Sequence, residues 1–258
     1  MDQPHGVIGV VGIDLAAGRG TTEVVSLSLA GLNSMPVFDQ SKHKATTTDE
    51  EIVAAVVACQ PTVIAIDAPL SLPAPVMRSL TAIGPHGPEH GSVRSFSNDG
   101  HTVTLSAPSA SPYLRAAERD PIWSRLGIRP FPVSFLGGLT FRAIALLPAL
   151  RAALPRVPIV EVYPSGSARA LGLLTRSSAA TPHLKRPAKT SPLARTALQQ
   201  ALSRHITCLP IVGQDDPDPL GADLLDALLA AFTAVAYLRG TYVAIGDPLE
   251  GQIVLPQG

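Results

Sequence analysis

The sequence predicts a single α/β domain, with a mixed central sheet flanked by helices in the order β-β-β-α-β-α-β-α. Three observations predict it. Two apolar runs, residues 7–15 and 62–67, are short enough for buried strands and carry an aspartate at or near their ends. A capped amphipathic segment lies between them, and a late stretch at 223–238 is apolar nearly all round. With 258 residues and 46% hydrophobic side chains the chain has material for a large core. Aromatics make up only 4%, so that core must be built mainly from Ala, Leu, Val and Ile.

Residues 7–15 read as a strand buried on both faces, followed by a turn at Arg19-Gly20-Thr21. Residues 22–29 form a second strand, with Val24, Ser26 and Ser28 on one face and Val25, Leu27 and Leu29 on the other. A short third strand at 35–38 completes an antiparallel meander. Thr48 caps the next helix and Glu51 returns a bond to the Thr48 amide. Ile52, Val53, Val56 and Val57 supply its apolar stripe, and Pro61 ends it. The strand at 62–66 then runs into Asp67-Ala68-Pro69. Periodicity is lost over 73–112, a stretch rich in Pro, Gly, Ser and His, which reads as an insertion or lid within the one domain spanning 1–258. Helices are expected near 113–118 and at 139–154, then a strand at 158–162 ending in Glu161-Val162-Tyr163-Pro164. A basic, loop-like stretch at 175–192 leads to a helix at 192–205. The helix at 223–238 is closed by Gly240, and short strands follow at 242–245 and 252–255.

Several classes are set aside. Asp2 and Gln3 stand where a signal peptide would be basic, and the most apolar stretch, 220–238, contains Asp223 and Asp226. The expectation is a soluble, cytoplasmic protein with no membrane partner. Cys59 and Cys208 are expected as buried thiols rather than a disulfide, and are too few for a zinc site. The zero net charge hides an asymmetry: residues 1–114 carry −5, residues 115–204 carry +11 and residues 205–258 carry −6. A middle segment this basic either attracts a polyanion or neutralises its acidic flanks. Arg115, Arg119, Arg125 and Arg129 lie close along the chain, and Lys185, Arg186 and Lys189 form a second group. Arg119, Arg129, Lys185 and Arg186 are the candidates for positioning phosphates, against the alternative of a solvated surface. His86, His90 and His101 fall in the insertion and read as incidental more readily than as ligands.

The acidic residues carry the chemistry. Asp14, Asp67 and Glu161 each stand at a strand end, where α/β sheets form ligand sites. Each has a plain alternative: a turn for Asp14 and Asp67, a salt bridge to an arginine for Glu161. Asp223 and Asp226, three apart, share one face of the late helix. Asp223 suits a cap or a dipole partner. Asp226, among Leu225, Ala227 and Leu228, has no such role, and an unpaired charge there would be destabilising. Carboxylates gathered together repel, and a hard divalent cation such as Mg²⁺ or Mn²⁺ with oxygen ligands relieves them. Two such ions roughly 3.5–4 Å apart activate water for in-line attack on a phosphodiester.

This order of strands and acids resembles the RNase H-like superfamily, and Asp223-Leu-Leu-Asp-Ala-Leu is similar to the helical acidic pair of its Holliday-junction resolvases. More closely, Gly12-Ile-Asp-Leu-Ala16, Ile66-Asp-Ala-Pro-Leu-Ser-Leu-Pro73, Glu161-Val-Tyr-Pro-Ser-Gly166 and Asp223-Leu-Leu-Asp-Ala-Leu-Leu-Ala-Ala231 resemble the DUF429 family, described as predicted nucleases of RNase H fold. The resemblance implies a metal-dependent nuclease. Asp14, Asp67, Glu161 and Asp226 would be its catalytic acids and metal ligands, with Asp223 as an accessory ligand, and nucleic acid or another phosphate-containing molecule its substrate. Two alternatives remain. One is an actin-like phosphotransferase or nucleotide hydrolase, for which no second glycine-rich phosphate turn is found. The other is a non-catalytic protein that binds nucleic acid or a partner through the basic segment.

Overall fold

Three consecutive extended runs build one half of the sheet. In the computed structural model, which describes residues 7–18, 20–73, 76, 95–98, 101–104, 114–174, 191–210 and 219–257, strands β1 (Ile8–Asp14), β2 (Thr22–Leu29) and β3 (Val37–Phe38) form the expected antiparallel meander. A further short strand, β4 (Lys44–Thr46), pairs with the start of β2. Sequence reading missed it because three residues at a sheet edge, two of them exposed, show no alternation. Helix α1 (Asp49–Ala58) has the predicted capping box: Thr48 Oγ1 accepts from the Glu51 amide, and the Glu51 carboxylate accepts from the Thr48 and Thr47 amides. Its buried stripe is narrower than expected, since Ile52 and Val56 are buried but Val57 is exposed.

Strand β5 (Val63–Asp67) lies parallel to β1. Most of the expected insertion at 73–112 falls outside the described residues; its strands β6 (Ser95–Asn98) and β7 (His101–Thr104) pair antiparallel, apart from the main sheet. The chain continues through α2 (Ala116–Arg119), α3 (Ile122–Leu126), α4 (Gly137–Ala153), β8 (Ile159–Val162), α5 (Pro164–Ala170), α6 (Pro192–Leu202), α7 (Ala222–Arg239), β9 (Tyr242–Ile245) and β10 (Ile253–Pro256). Helices α3 and α5 are not among the elements expected from the sequence, because five to seven residues are too few to reveal a 3.6-residue period. The main sheet has the order β3-β2-β1-β5-β8-β10-β9, with β4 on β2. Strands β1, β5, β8 and β10 run parallel, and helices cover both faces.

Residue parity divides the core. Val10, Val25, Leu27, Val63, Ala65, Val160 and Val162 face α7, while Val11, Ile13, Val24, Ile64 and Ile66 face α1 and α4. Helix α7 is buried on nearly every side from Leu225 to Ala236, which explains its lack of a polar stripe. It ends at Gly240, whose φ of 71° is the left-handed conformation expected at that position. Among the described residues no helix is long and apolar enough to cross a membrane. Both thiols are free; Cys59 is half-buried, but Cys208 is exposed in the turn beyond α6, contrary to the expectation of a buried thiol.

The tightest approach between helix and sheet is at Gly12. A Cβ placed there would lie 2.2 Å from the Ala227 carbonyl oxygen and 2.2 Å from the Ala231 amide nitrogen, both backbone atoms of α7. Only a glycine on β1, facing alanines one helical turn apart, allows this contact. Gly12→Ala is therefore expected to lower stability by about 3 kcal/mol or more, at the upper end of overpacking effects, measured by urea unfolding.

Candidate active site

Strands β1 and β5 end on one edge of the sheet, and their parallel register sets Asp14 beside Asp67. Gly12 and Ala65 precede them by two residues, so both aspartates belong to the face covered by α7. The α7 backbone that meets Gly12 begins at Ala227, the residue after Asp226. Asp14, Asp67, Asp223 and Asp226 thereby line one cavity of about 540 Å³, together with apolar Leu15, Pro69 and Leu139. Asp14, Asp67 and Asp226 are half-buried, while Asp223 is exposed on the first turn of α7.

Glu161 lines the same cavity but leaves the sheet from the other face. Its neighbours Val160 and Val162 pack towards α7, whereas Ile159, two residues back, packs on the α1–α4 side. It is 5% exposed, and its oxygens already have donors. Oε1 accepts from Arg115 Nη2 at 2.5 Å; Oε2 accepts from Arg115 Nη1 at 2.7 Å and from the Leu70 amide at 2.9 Å. The remaining donors of Arg115 go to Glu118 Oε1, from Nε at 2.8 Å and Nη2 at 2.5 Å, and to Ser71 Oγ, from Nη1 at 2.9 Å. All five guanidinium protons are thus directed to protein acceptors. Ser71 Oγ donates in turn to the Glu250 carbonyl, and the Glu250 carboxylate accepts from the Ala116 amide at 2.6 Å.

This network places Glu161 in the salt bridge that was its plain alternative. It also removes Arg115 from the solvated or substrate-facing arginines, for its side chain is only 1% exposed. Burial alone would lower the Arg115 guanidinium, but the hydrogen bonds and charge of Glu161, and then of Glu118, hold it above its ordinary value. At Glu161 burial dominates and pushes the carboxyl up, opposed by Arg115 and the Leu70 amide.

Val162, Tyr163 and Ser165 of the same motif line the cavity as well. Tyr163 donates through its hydroxyl to the Arg129 carbonyl at 3.3 Å and meets Trp123 edge-on, with ring centroids 5.7 Å apart. Trp123 Nε1 donates to the Ala117 carbonyl at 2.7 Å. Gly166 lies where a Cβ would come within 2.8 Å of the Tyr163 ring. Arg142 on α4 ties down the loop after β1, with Nη1 donating to the Ala16 carbonyl at 2.7 Å and Nε to Asp49 at 2.9 Å.

Among the predicted basic residues, Arg129 is exposed and lines the cavity. Arg119 is exposed on α2 and is not among the lining residues; its Nε donates to the Arg115 carbonyl at 3.4 Å. Lys185 and Arg186 lie outside the described residues, as do His86 and His90. Arg169 on α5, not singled out from sequence, also lines the cavity. Among the described residues no three His, Cys, Asp or Glu side chains are disposed to hold a metal ion. The donors at Asp14, Asp67 and Asp226 are nevertheless all carboxylate oxygens, the ligand type of Mg²⁺ and Mn²⁺, so the residues fit such an ion in kind without forming a closed ligand set.

The Arg115 network makes a direct prediction. Arg115→Met leaves buried Glu161 without its cation and is expected to cost about 3–5 kcal/mol in urea unfolding, part of which Glu161→Gln in the same chain recovers.

No curated protein and no solved structure matches the chain. A family model described as "Protein of unknown function (DUF429)" matches residues 12–250, nearly the whole length. The chain belongs to the DUF429 family.

Proposed function

We propose that the protein is a divalent-metal-dependent nuclease, a phosphodiester hydrolase built on an RNase H-like core and acting in the cytoplasm. The observation that carries this reading is the pairing of Asp14 and Asp67 in register on adjacent parallel strands, with Asp226 on α7 lining the same cavity. The strand order supports it: an antiparallel β1–β2–β3 meander is followed by β5 and β8, parallel to β1, with acids on the first strand, its parallel neighbour and a late helix.

Asp14, Asp67 and Asp226 would hold Mg²⁺ or Mn²⁺, with Asp223 as a further oxygen donor. Bound there, the ion supplies positive charge to the phosphate and lowers the pKa of water. The chain's own residues do the rest. Arg129 and Arg169 draw the phosphate into the cavity, and Leu15, Pro69 and Leu139 exclude bulk water around it. Arg115 takes no phosphate, because its donors are committed; it is a positioning residue that fixes Glu161 and, through the Leu70 amide, the turn that follows Asp67.

Asp14→Asn and Asp226→Asn are expected to reduce Mg²⁺- or Mn²⁺-dependent cleavage of a DNA and RNA panel by at least about 100-fold, more than the loss of an outer-shell partner, with circular dichroism unchanged. Wild-type rates in both variants, or cleavage insensitive to EDTA, overturn the reading. Arg129→Ala and Arg169→Ala are each expected to raise KM more than they lower kcat, and to reduce the salt dependence of binding by about one counterion.

A further inference from the structure

Three phenylalanines crowd the segment leading from the cavity into α4. Phe131 is 40%, Phe135 78% and Phe141 63% exposed, whereas Phe38 and Phe232 are buried. The chain has only six phenylalanines, and these three are the only aromatics among the exposed large apolar side chains of the described residues. Burying such a ring is worth about 1.5–3 kcal/mol, so folding stability does not account for leaving three of them in water along one short segment.

The segment is built to present them. Pro130 and Pro132 flank Phe131. The Phe135 amide donates to the Pro132 carbonyl at 2.9 Å, the Leu136 amide to the Val133 carbonyl at 3.2 Å and the Thr140 hydroxyl to the same carbonyl at 3.3 Å. Val133 and Thr140 point into the core while the rings point out. The Phe131 and Phe135 rings stack nearly parallel, with centroids 5.8 Å apart and planes inclined by 13°. Phe131 lines the cavity that holds Asp14, Asp67 and Asp226, and so does Arg129, two residues before it.

We propose that the Phe131–Phe135 pair is a stacking platform for unpaired bases and that the substrate is single-stranded nucleic acid, an inference that rests on the nuclease reading above. A single strand offers flat, apolar base faces and a string of phosphates. The rings would take the first and Arg129 the second, and the carboxylates line the same cavity as Phe131 and Arg129. A duplex hides its base faces in its own stack and cannot use such a platform. Arg129, which lines the same cavity as Phe131 and the acids, favours an anionic strand over an apolar protein partner.

The test separates binding from cleavage. With EDTA present, anisotropy of labelled oligothymidylate, oligouridylate and a blunt DNA duplex is measured for the wild type, Asp14→Asn, Phe135→Ala and Phe131→Ala/Phe135→Ala. Each lost base stack is expected to weaken single-strand binding by about 10-fold, within the range for base–aromatic contacts, with duplex binding unchanged. Phe135→Trp is expected to keep the affinity, and its indole to be quenched by the oligonucleotide against the buried native Trp123. Wild-type single-strand affinity in the alanine variants overturns the proposal, as does equal affinity for duplex or an unquenched Phe135→Trp. A dimer that Phe135→Ala dissolves, without nucleic-acid affinity, assigns the patch to self-association and also overturns it. Platform-dependent binding without metal-dependent cleavage means that the nuclease reading has failed and the platform has not; cleavage indifferent to Phe135 means the reverse.

Discussion

The contact between Gly12 and the backbone of α7 is the constraint on which the site depends. Helix α7 reaches β1 this closely because the strand offers a glycine and the helix offers Ala227 and Ala231. The residue before Ala227 is Asp226, and two residues beyond Gly12 is Asp14. Two motifs far apart in the chain are therefore halves of one fitting: small residues set the distance, and acidic residues beside them inherit it. The same contact holds the start of α7, with Asp223 and Asp226, against the cavity, although the helix has almost no polar face.

A second organising element is the ionic cluster under the neighbouring strand ends. Arg115 and Glu161 exchange two hydrogen bonds in the interior, with Glu118 and Ser71 filling the remaining donors. A pair taken this far out of water recovers its desolvation cost only when every polar atom is matched, and here the guanidinium is matched completely. The cluster joins the strap after β5, the short helix α2, strand β8 and the approach to β10 at one point. Within it the Glu161 carboxylate is bound to Arg115, while Asp14 on β1 and Asp67 on β5 line the cavity that Glu161 also borders.

Much of this was legible in the sequence, and the rest was hidden for definite reasons. The meander, α1 with its capping box and α7 with its glycine stop follow from period and punctuation, and Asp14, Asp67 and Asp226 stood out as charges in apolar settings. Glu161 stood out for the same reason, but in Ile159-Val160-Glu161-Val162 both faces of the strand are apolar, so alternation does not tell which face it belongs to. The interior position of Arg115 depends on a partner 46 residues away. Its local partner was readable, since Glu118 follows at a spacing of three just where a helix begins. Arg169 lacked even that cue, lying in a helix too short to register as one.

The hydrogen bond from Arg115 to Ser71 also fixes where a long excursion of the chain leaves the sheet and where it returns. Both ends are held at the same spot, beside Glu161 and Glu250, independently of what lies between them. Closure cost grows only logarithmically with the length of such an excursion. The fold therefore carries a socket: a change in the length of the segment 72–114 leaves its two anchors, and the register of Asp14 beside Asp67, as they are.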